Sequence, residues 1–315
     1  MQNKFRIHVH LVGEANIGFL SQIAFFVHSL CLTKDQHQYS VRCFLGGEPV
    51  NWEALPEHIQ RCKDKIEIIQ PDKDTYQREG MFAQCDEAFL NIRPDADIIV
   101  YCDCDTFWLK SPVDLYEIIM LNRTVAGTIV HFPPPEFSPD VRSHWNRLFD
   151  QVLSSSPTFN HTCSLGDLIP SPFCPNFAFV AMTAESMREH GSSYIEITTR
   201  LRSMISNPYF SYQIGLSLWL KRHNISSMAI PLQYNFPNDD KVFERYSFTI
   251  SDIFLVHYLR ERSFKRNSLF VSIENFEAFL AIPNKSIADQ MLAEIWTHKI
   301  SVIDWMQSSR LSKSD

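Results

Sequence analysis

The sequence predicts an α/β protein, a mixed and mostly parallel sheet flanked by helices, and three observations carry that expectation. Short apolar strands alternate with helix-period segments through the first half of the chain. The run from Asp97 to Asp105 (DIIVYCDCD) stays apolar until it ends in acids, as a central strand covered on both faces does. A length of 315 residues, with 45% hydrophobic and 21% charged, is ample for one large globular domain.

In chain order, RIHVHLVG (6–13) reads as the first strand and 19–32 as a helix. YSVRCFLGG (39–47) follows as a strand, then a helix near 53–62 and the strand KIEIIQ (65–70). A helix from about Gln77 to Leu90 leads into DIIVYCDCD. SPVDLYEIIM (111–120) opens with Ser111 and Pro112, both helix-start signals, and TVAGTIV (124–130) returns as a strand. Residues 131–175 hold HFPPPEF, SSSP and LIPSPFCP around one helical stretch. They are too proline-rich for regular core, so they read as an excursion over one face and a candidate acceptor-site or lid segment. The strand NFAFVAMT (176–183), helices over 184–205 and 209–223, and the strands SSMAIPLQYN (226–235) and FLVHYL (254–259) complete a domain over 1–284. Residues 285–315 read as a docked helical hairpin or long helix with Ile287, Met291, Ile295, Val302 and Met306 along one stripe. That stretch is not basic, so peripheral membrane contact is the weaker alternative.

A net charge of -7 argues against nucleic acid as a partner, because a phosphate-backbone binder needs a basic surface. The opening MQNKFRIHVHLVGEA is broken by His8 and His10, so it reads as a core strand and not a signal peptide. No apolar run reaches the length of a membrane span. The cysteines fall mostly in apolar segments, which fits thiols in a reducing compartment, and a cytoplasmic location is expected. No second Cys/His pair stands at zinc spacing from Cys102 and Cys104.

The sharpest chemical feature is Asp103-Cys104-Asp105. Residues i and i+2 of an extended chain project to one side, so the two carboxylates converge. Hard oxygen ligands suit Mg2+ or Mn2+, ions that bridge diphosphate oxygens. The alternative is a solvated acid pair in a turn. Gly13 and Glu14 open the turn GEANIG after the first strand, where backbone N–H groups can approach a nucleotide; the G-x-G-x-x-G spacing of dinucleotide-binding folds is absent. His257 by itself would read as a satisfied core histidine.

Four segments resemble, in order, motifs of the GT-A-fold nucleotide-sugar transferases, closest to the retaining family of glycogenin and the lipooligosaccharide galactosyltransferases. Thr75-Tyr76-Gln77-Arg78 is similar to the family's T-Y-x-R, and Asp103-Cys104-Asp105 with the following WLKSPVDLY to its D-x-D strand and next helix. Asn176-Phe177-Ala178 stands where the family has an N-x-G-type turn, and Val256-His257-Tyr258 resembles the late H-Y segment. Tyr212-Gln213 resembles its D-Q segment, with tyrosine in place of the acid. The resemblance implies a Rossmann-like GT-A fold and transfer of a hexose from a UDP-sugar to a saccharide, lipid-linked glycan or protein acceptor, with retention. It further implies Mn2+ or Mg2+ held by Asp103, Asp105 and His257, donor contacts from Arg78 and Asn176, and Gln213 beneath the reacting sugar. The family's glycine after Asn176 and its G-x-x-K-P-W are missing here, leaving Lys265 or Arg260 to replace that lysine. Such losses also fit a non-catalytic nucleotide-sugar-binding descendant. A haloacid-dehalogenase-type phosphatase fits less well, since Thr106 directly follows Asp105 and four elements precede the motif.

Overall fold

The computed structural model describes residues 4–33, 35, 37–134, 137, 139–166 and 168–308. The first half comprises β1 (Arg6–Glu14), α1 (Ile17–Leu32), β2 (Gln38–Gly46), α2 (Glu57–Gln60), β3 (Ile66–Ile69), α3 (Lys73–Glu79), α4 (Met81–Leu90), β4 (Ile98–Asp103), β5 (Thr106–Trp108), α5 (Val113–Asn122) and β6 (Val125–Ile129). The excursion contributes α6 (Val141–Leu153), β7 (His161–Thr162) and β8 (Pro170–Ser171). There follow β9 (Pro175–Thr183), α7 (Ala184–Arg202), α8 (Ser211–His223), β10 (Ser227–Ala229), β11 (Phe236–Pro237), α9 (Asp240–Arg245) and β12 (Leu255–His257). The chain then ends in α10 (Arg266–Leu269), α11 (Ile273–Ala281), α12 (Ile287–Glu294) and α13 (Val302–Gln307).

Seven strands form one sheet in the order β10-β6-β9-β4-β1-β2-β3, with β9 alone antiparallel to its neighbours. Alternation along the central strands divides the core. Ile98, Val100 and Cys102 of β4 face one apolar cluster with α1 and the C-terminal helices, while Ile99 and Tyr101 face a second with α7 and α8. His10, which interrupts the apolar run of β1, is a buried neutral side chain: Nδ1 lies 2.8 Å from the carbonyl of Ala88, and burial lowers its pKa to about 3.

Several boundaries differ from the periodicity. The helix expected over 77–90 is two, because Gly80 adopts φ 58 and breaks it; this residue is thus both the end of α3 and the start of α4. The helix expected near 53–62 is a set of short turns around α2. In the C-terminal segment a π-turn (Ile295–Lys299) and Ser301 in the left-handed region separate α12 from α13, so there is neither one long helix nor a simple hairpin. Met291, Ile295, Val302 and Met306 are buried in the first cluster and only Ile287 is exposed, so the stripe packs against the protein and offers no membrane face. Residues 309–315 lie outside the described residues, as do 135, 136 and 138 of the HFPPPEF stretch and the following serine. The excursion is well packed: Trp145, Leu148 and Phe149 of α6 insert into the second cluster.

Candidate active site

The chain runs from β1 to β2 and β3 on one side and returns to β4 on the other, so the strand order reverses between β1 and β4. Crevices at the carboxyl ends of strands at such a reversal are where open α/β sheets bind ligands. Asp103 is the last residue of β4 and stands opposite Val12 in the ladder. Cys104 and Asp105 then form a turn, so the two carboxylates come together through that turn and not through strand alternation. The chain continues as β5, which pairs antiparallel with β12 and sets His257 opposite Thr106. The Tyr258 amide donates to the Asp105 carbonyl at 3.0 Å, fixing the register. Two backbone ladders therefore carry a distant histidine to the acids.

Nε2 of His257 lies 3.3 Å from Asp105 Oδ1 and 3.7 Å from Asp103 Oδ2. One ligand atom from each of the three falls within 4.8 Å of the others. Burial pushes the Asp103 carboxyl up to about 6, against the opposing charge of His257. Burial acts the same way on Asp105, yet the charges of His257 and Arg266 outweigh it and hold that carboxyl below its usual range. Burial disfavours charge on His257, but the two carboxylates raise its pKa overall. Asp105 is itself 6% exposed, so it is no solvent-reached tip as strand-end acids would be, whereas Asp103 is half-buried.

The other expected residues divide by position. Gly13 and Glu14 end β1 at the same sheet edge, and Glu14 accepts from the Tyr76 hydroxyl at 3.0 Å. The Tyr76 ring covers Gly46, where an added β-carbon would stand 2.2 Å from it. Of the T-Y-x-R segment it is thus Tyr76 that is built into the edge. Arg78 is exposed and ion-paired with Glu79. Asn176 is the second residue of β9 and accepts from Asn235 Nδ2 at 3.0 Å. Gln213 lies in the first turn of α8, after Tyr209, whose hydroxyl pKa is raised first by the charge of Asp103. Tyr212, in the place of the family's acid, bonds to Asp86 and accepts from Arg202. Lys265 is exposed at the start of α10, and Arg260 pairs with Asp239 at 3.0 Å; neither reaches the acids. The neighbouring Arg266 does, forming an ion pair with Asp105. Sequence reading missed Arg266, Tyr209 and Asn235. Only Arg266 had a visible signal, as a further cation beside Lys265 in a segment that also holds Arg260 and Arg262.

Two carboxylates and an imidazole, gathered within 4.8 Å, are a donor set that a Mn2+ or Mg2+ ion accepts. The mostly parallel sheet, its switch-point acids and the crossing histidine define a GT-A architecture. Within that class the chain is similar to the galactosyltransferase LgtC solved with donor and acceptor sugar analogs: TM-score 0.54 and 12% identity, over 88% of this chain and 98% of that one. An active-site glutamine-to-glutamate mutant of LgtC matches at TM-score 0.54 and 11% identity, covering 90% and 99%. The apo glycosyltransferase GlyE of Streptococcus pneumoniae TIGR4 matches at 0.51 and 14%, covering 95% of this chain and 64% of that one. At these identities the likeness shows the fold. No family model and no curated protein matches the sequence. Among the described residues no helix is long and apolar enough to cross a membrane.

Proposed function

We propose that this protein is a divalent-metal-dependent glycosyltransferase that moves a hexose from a UDP-sugar to an acceptor hydroxyl with retention. The observation carrying the reading is the gathering of Asp103, Asp105 and His257 within 4.8 Å at the switch point of a GT-A sheet. The fold neighbours support it, since they are named as glycosyltransferases and one holds donor and acceptor analogs. Seven buried thiols fit the expected cytoplasmic setting.

Asp103, Asp105 and His257 hold Mn2+ or Mg2+, which when bound supplies Lewis-acid neutralisation of a departing diphosphate. Arg266, anchored on Asp105, adds a second positive charge on that side. It takes the place assigned by sequence to Lys265, which is left as an outer contact, and its presence weakens the case for a non-catalytic descendant. Gly13 and Glu14, walled by Tyr76, line the nucleotide side, with Arg78 a peripheral contact. Asn176, oriented by Asn235, faces the sugar. Gln213 sits beneath the reacting carbon, and the active-site glutamine of LgtC supports that role. The turn leading to it carries Tyr209 beside Asp103 and no acid, which favours retention over a directly displaced, inverting reaction.

A thermal-shift titration with UDP, with and without Mn2+, tests the site. Stabilisation by UDP that requires Mn2+ and disappears in Asp105→Asn is expected. Equal stabilisation of wild type and variant would remove the metal centre from the account.

A further inference from the structure

A cavity of about 440 Å3 lies between the C-terminal half of α1, the end of α2 and α13. α1 starts near the Asp103 edge of the sheet, where Gly18 packs against Asn267, the neighbour of Arg266. It reaches the cavity with Val27, His28 and Leu32. From Gly18 to His28 is roughly 15 Å of helix axis, so the cavity and the acids stand at different ends of one helix.

Three cations converge on this cavity in a chain whose net charge is -7. Arg61 donates to the Trp305 carbonyl and the Ser308 hydroxyl, which fix the guanidinium at the wall and leave further N–H groups of its fork for a ligand. Lys65 stands 4.0 Å from the Cys31 thiol, and Lys299 is exposed. Among the described residues none of the three forms an ion pair, and the one acid in the lining is Asp304. The described lining therefore has a surplus of two positive charges.

The imidazoles of His28 and His58 add no charge to that surplus, because burial lowers the pKa of both. Their Nε2 atoms lie 3.4 Å and 2.9 Å from the carbonyls of Ile300 and Phe270. The His28 ring stacks on Trp305 at 5.2 Å and that of His58 meets it edge-on at 5.1 Å, which gives the cavity a braced aromatic wall. The backbone opposite is unusual. Lys299 closes the π-turn and Ser301 follows at φ 53, two conformations that carry a local cost and concentrate at functional sites.

A phosphate monoester carries about two negative charges at pH 7 and three acceptor oxygens, which matches the surplus and suits a guanidinium fork flanked by ammonium groups. A single carboxylate would leave half the surplus in place, and a nucleic acid would meet a negatively charged protein beyond the rim. Val27, Leu32 and Ile300 give apolar wall to a small organic body, and the volume falls within the roughly 300–1,000 Å3 range of small-ligand sites.

We infer that this cavity binds a small soluble phosphate monoester, held by Arg61, Lys65 and Lys299, at a site separate from the acids. The binding does not rest on the glycosyltransferase reading.

Isothermal titration calorimetry on the full chain in EDTA tests it, with glycerol 3-phosphate and glucose 6-phosphate as probes against glycerol, glucose and succinate. Binding of at least one of the two phosphates is expected, weakened at least about ten-fold in Lys65→Glu and in Lys299→Glu, both exposed positions. Asp103→Asn should leave that affinity unchanged. No binding of either phosphate, equal affinity in the lysine variants, or succinate bound as tightly overturns the inference. Loss of binding in Asp103→Asn would assign the phosphate to the acid edge and overturn it as well. Cosedimentation with phosphatidic acid vesicles, without binding of either soluble phosphate, would move the monoester to a membrane surface and have the same effect.

Discussion

Arg266 is ion-paired with the buried carboxylate of Asp105, while its neighbour Lys265 points to solvent. The cation beside the D-x-D turn is therefore the arginine. Removing it leaves the buried Asp105 carboxylate with His257 as its charged partner, a loss of about 1–2 kcal/mol once the exposure of over a third of the guanidinium is discounted. Arg266→Ala should lower the melting temperature, enlarge the stabilisation given by Mn2+ and raise KM for the UDP-sugar about ten-fold or more. Lys265→Ala should change each by less than two-fold. Kinetics and melting curves of the two variants side by side check the assignment; equal effects would contradict it.

Asp103 and Asp105 should differ when each is replaced by asparagine. Asp105 is buried and engages both His257 and Arg266, so Asp105→Asn costs stability as well as metal binding. Asp103 is half-buried with a carboxyl raised by burial, and its loss should spare or slightly raise the stability of the metal-free protein. Both should weaken Mn2+ binding about 100-fold. Urea denaturation of the metal-free variants separates the two: equal destabilisation would refute the distinction.

Metal affinity should climb with pH. Burial lifts Asp103 to about 6, and its carboxylate partners lift His257 above the ordinary histidine value, so each must lose a proton before both serve as ligands. Mn2+ affinity is then weakest below about pH 6 and rises by up to about ten-fold per unit for each proton released. Without metal, the same raised pKa values contribute stability that is present at low pH and lost as pH rises through the folded values. Mn2+ should consequently stabilise the protein more at pH 8 than at pH 5.5. Calorimetry in two buffers of different ionisation heat counts the protons; binding with no release would rule out the coupling.

Gln213→Ala should reduce kcat about 10- to 1,000-fold with little change in the UDP affinity, because the proposed function sets the side chain beneath the sugar and away from the nucleotide. Tyr212→Phe removes a hydroxyl bonded to Asp86 and Arg202 and should act mainly on stability, by about 1–2 kcal/mol. Anomeric-proton NMR of the first product should report the donor's configuration; the opposite anomer would mean that an acid outside the Gln213 turn acts as base.

The acid pair could be read in the sequence because it is local to one strand end. The apolar strand ending in Asp103 declared its own place in the sheet, whereas His257 read by itself as a core histidine and was singled out by the resemblance. What could not be read was local geometry decided by tertiary partners. Asp105 lies in a turn because β5 leaves to pair with β12, and nothing near Asp105 encodes that pairing. Arg78, on an exposed helix surface, keeps to Glu79, while Tyr76 two residues earlier reaches the sheet edge; helix phase alone could not select between them. The C-terminal stripe was legible as an apolar face, but the π-turn and Ser301 that break it were not.

In the proposed function, Asp103, Asp105 and His257 make a metal-dependent site for nucleotide-sugar turnover. Hydrolysis of UDP-galactose and UDP-glucose without acceptor, followed by UDP release, tests it most directly in wild type and Asp105→Asn, each with Mn2+ and with EDTA. Release is predicted from wild type with Mn2+ for at least one donor, abolished by EDTA and reduced at least about 100-fold in the variant. Release that survives EDTA, or that Asp105→Asn leaves intact, would contradict the account.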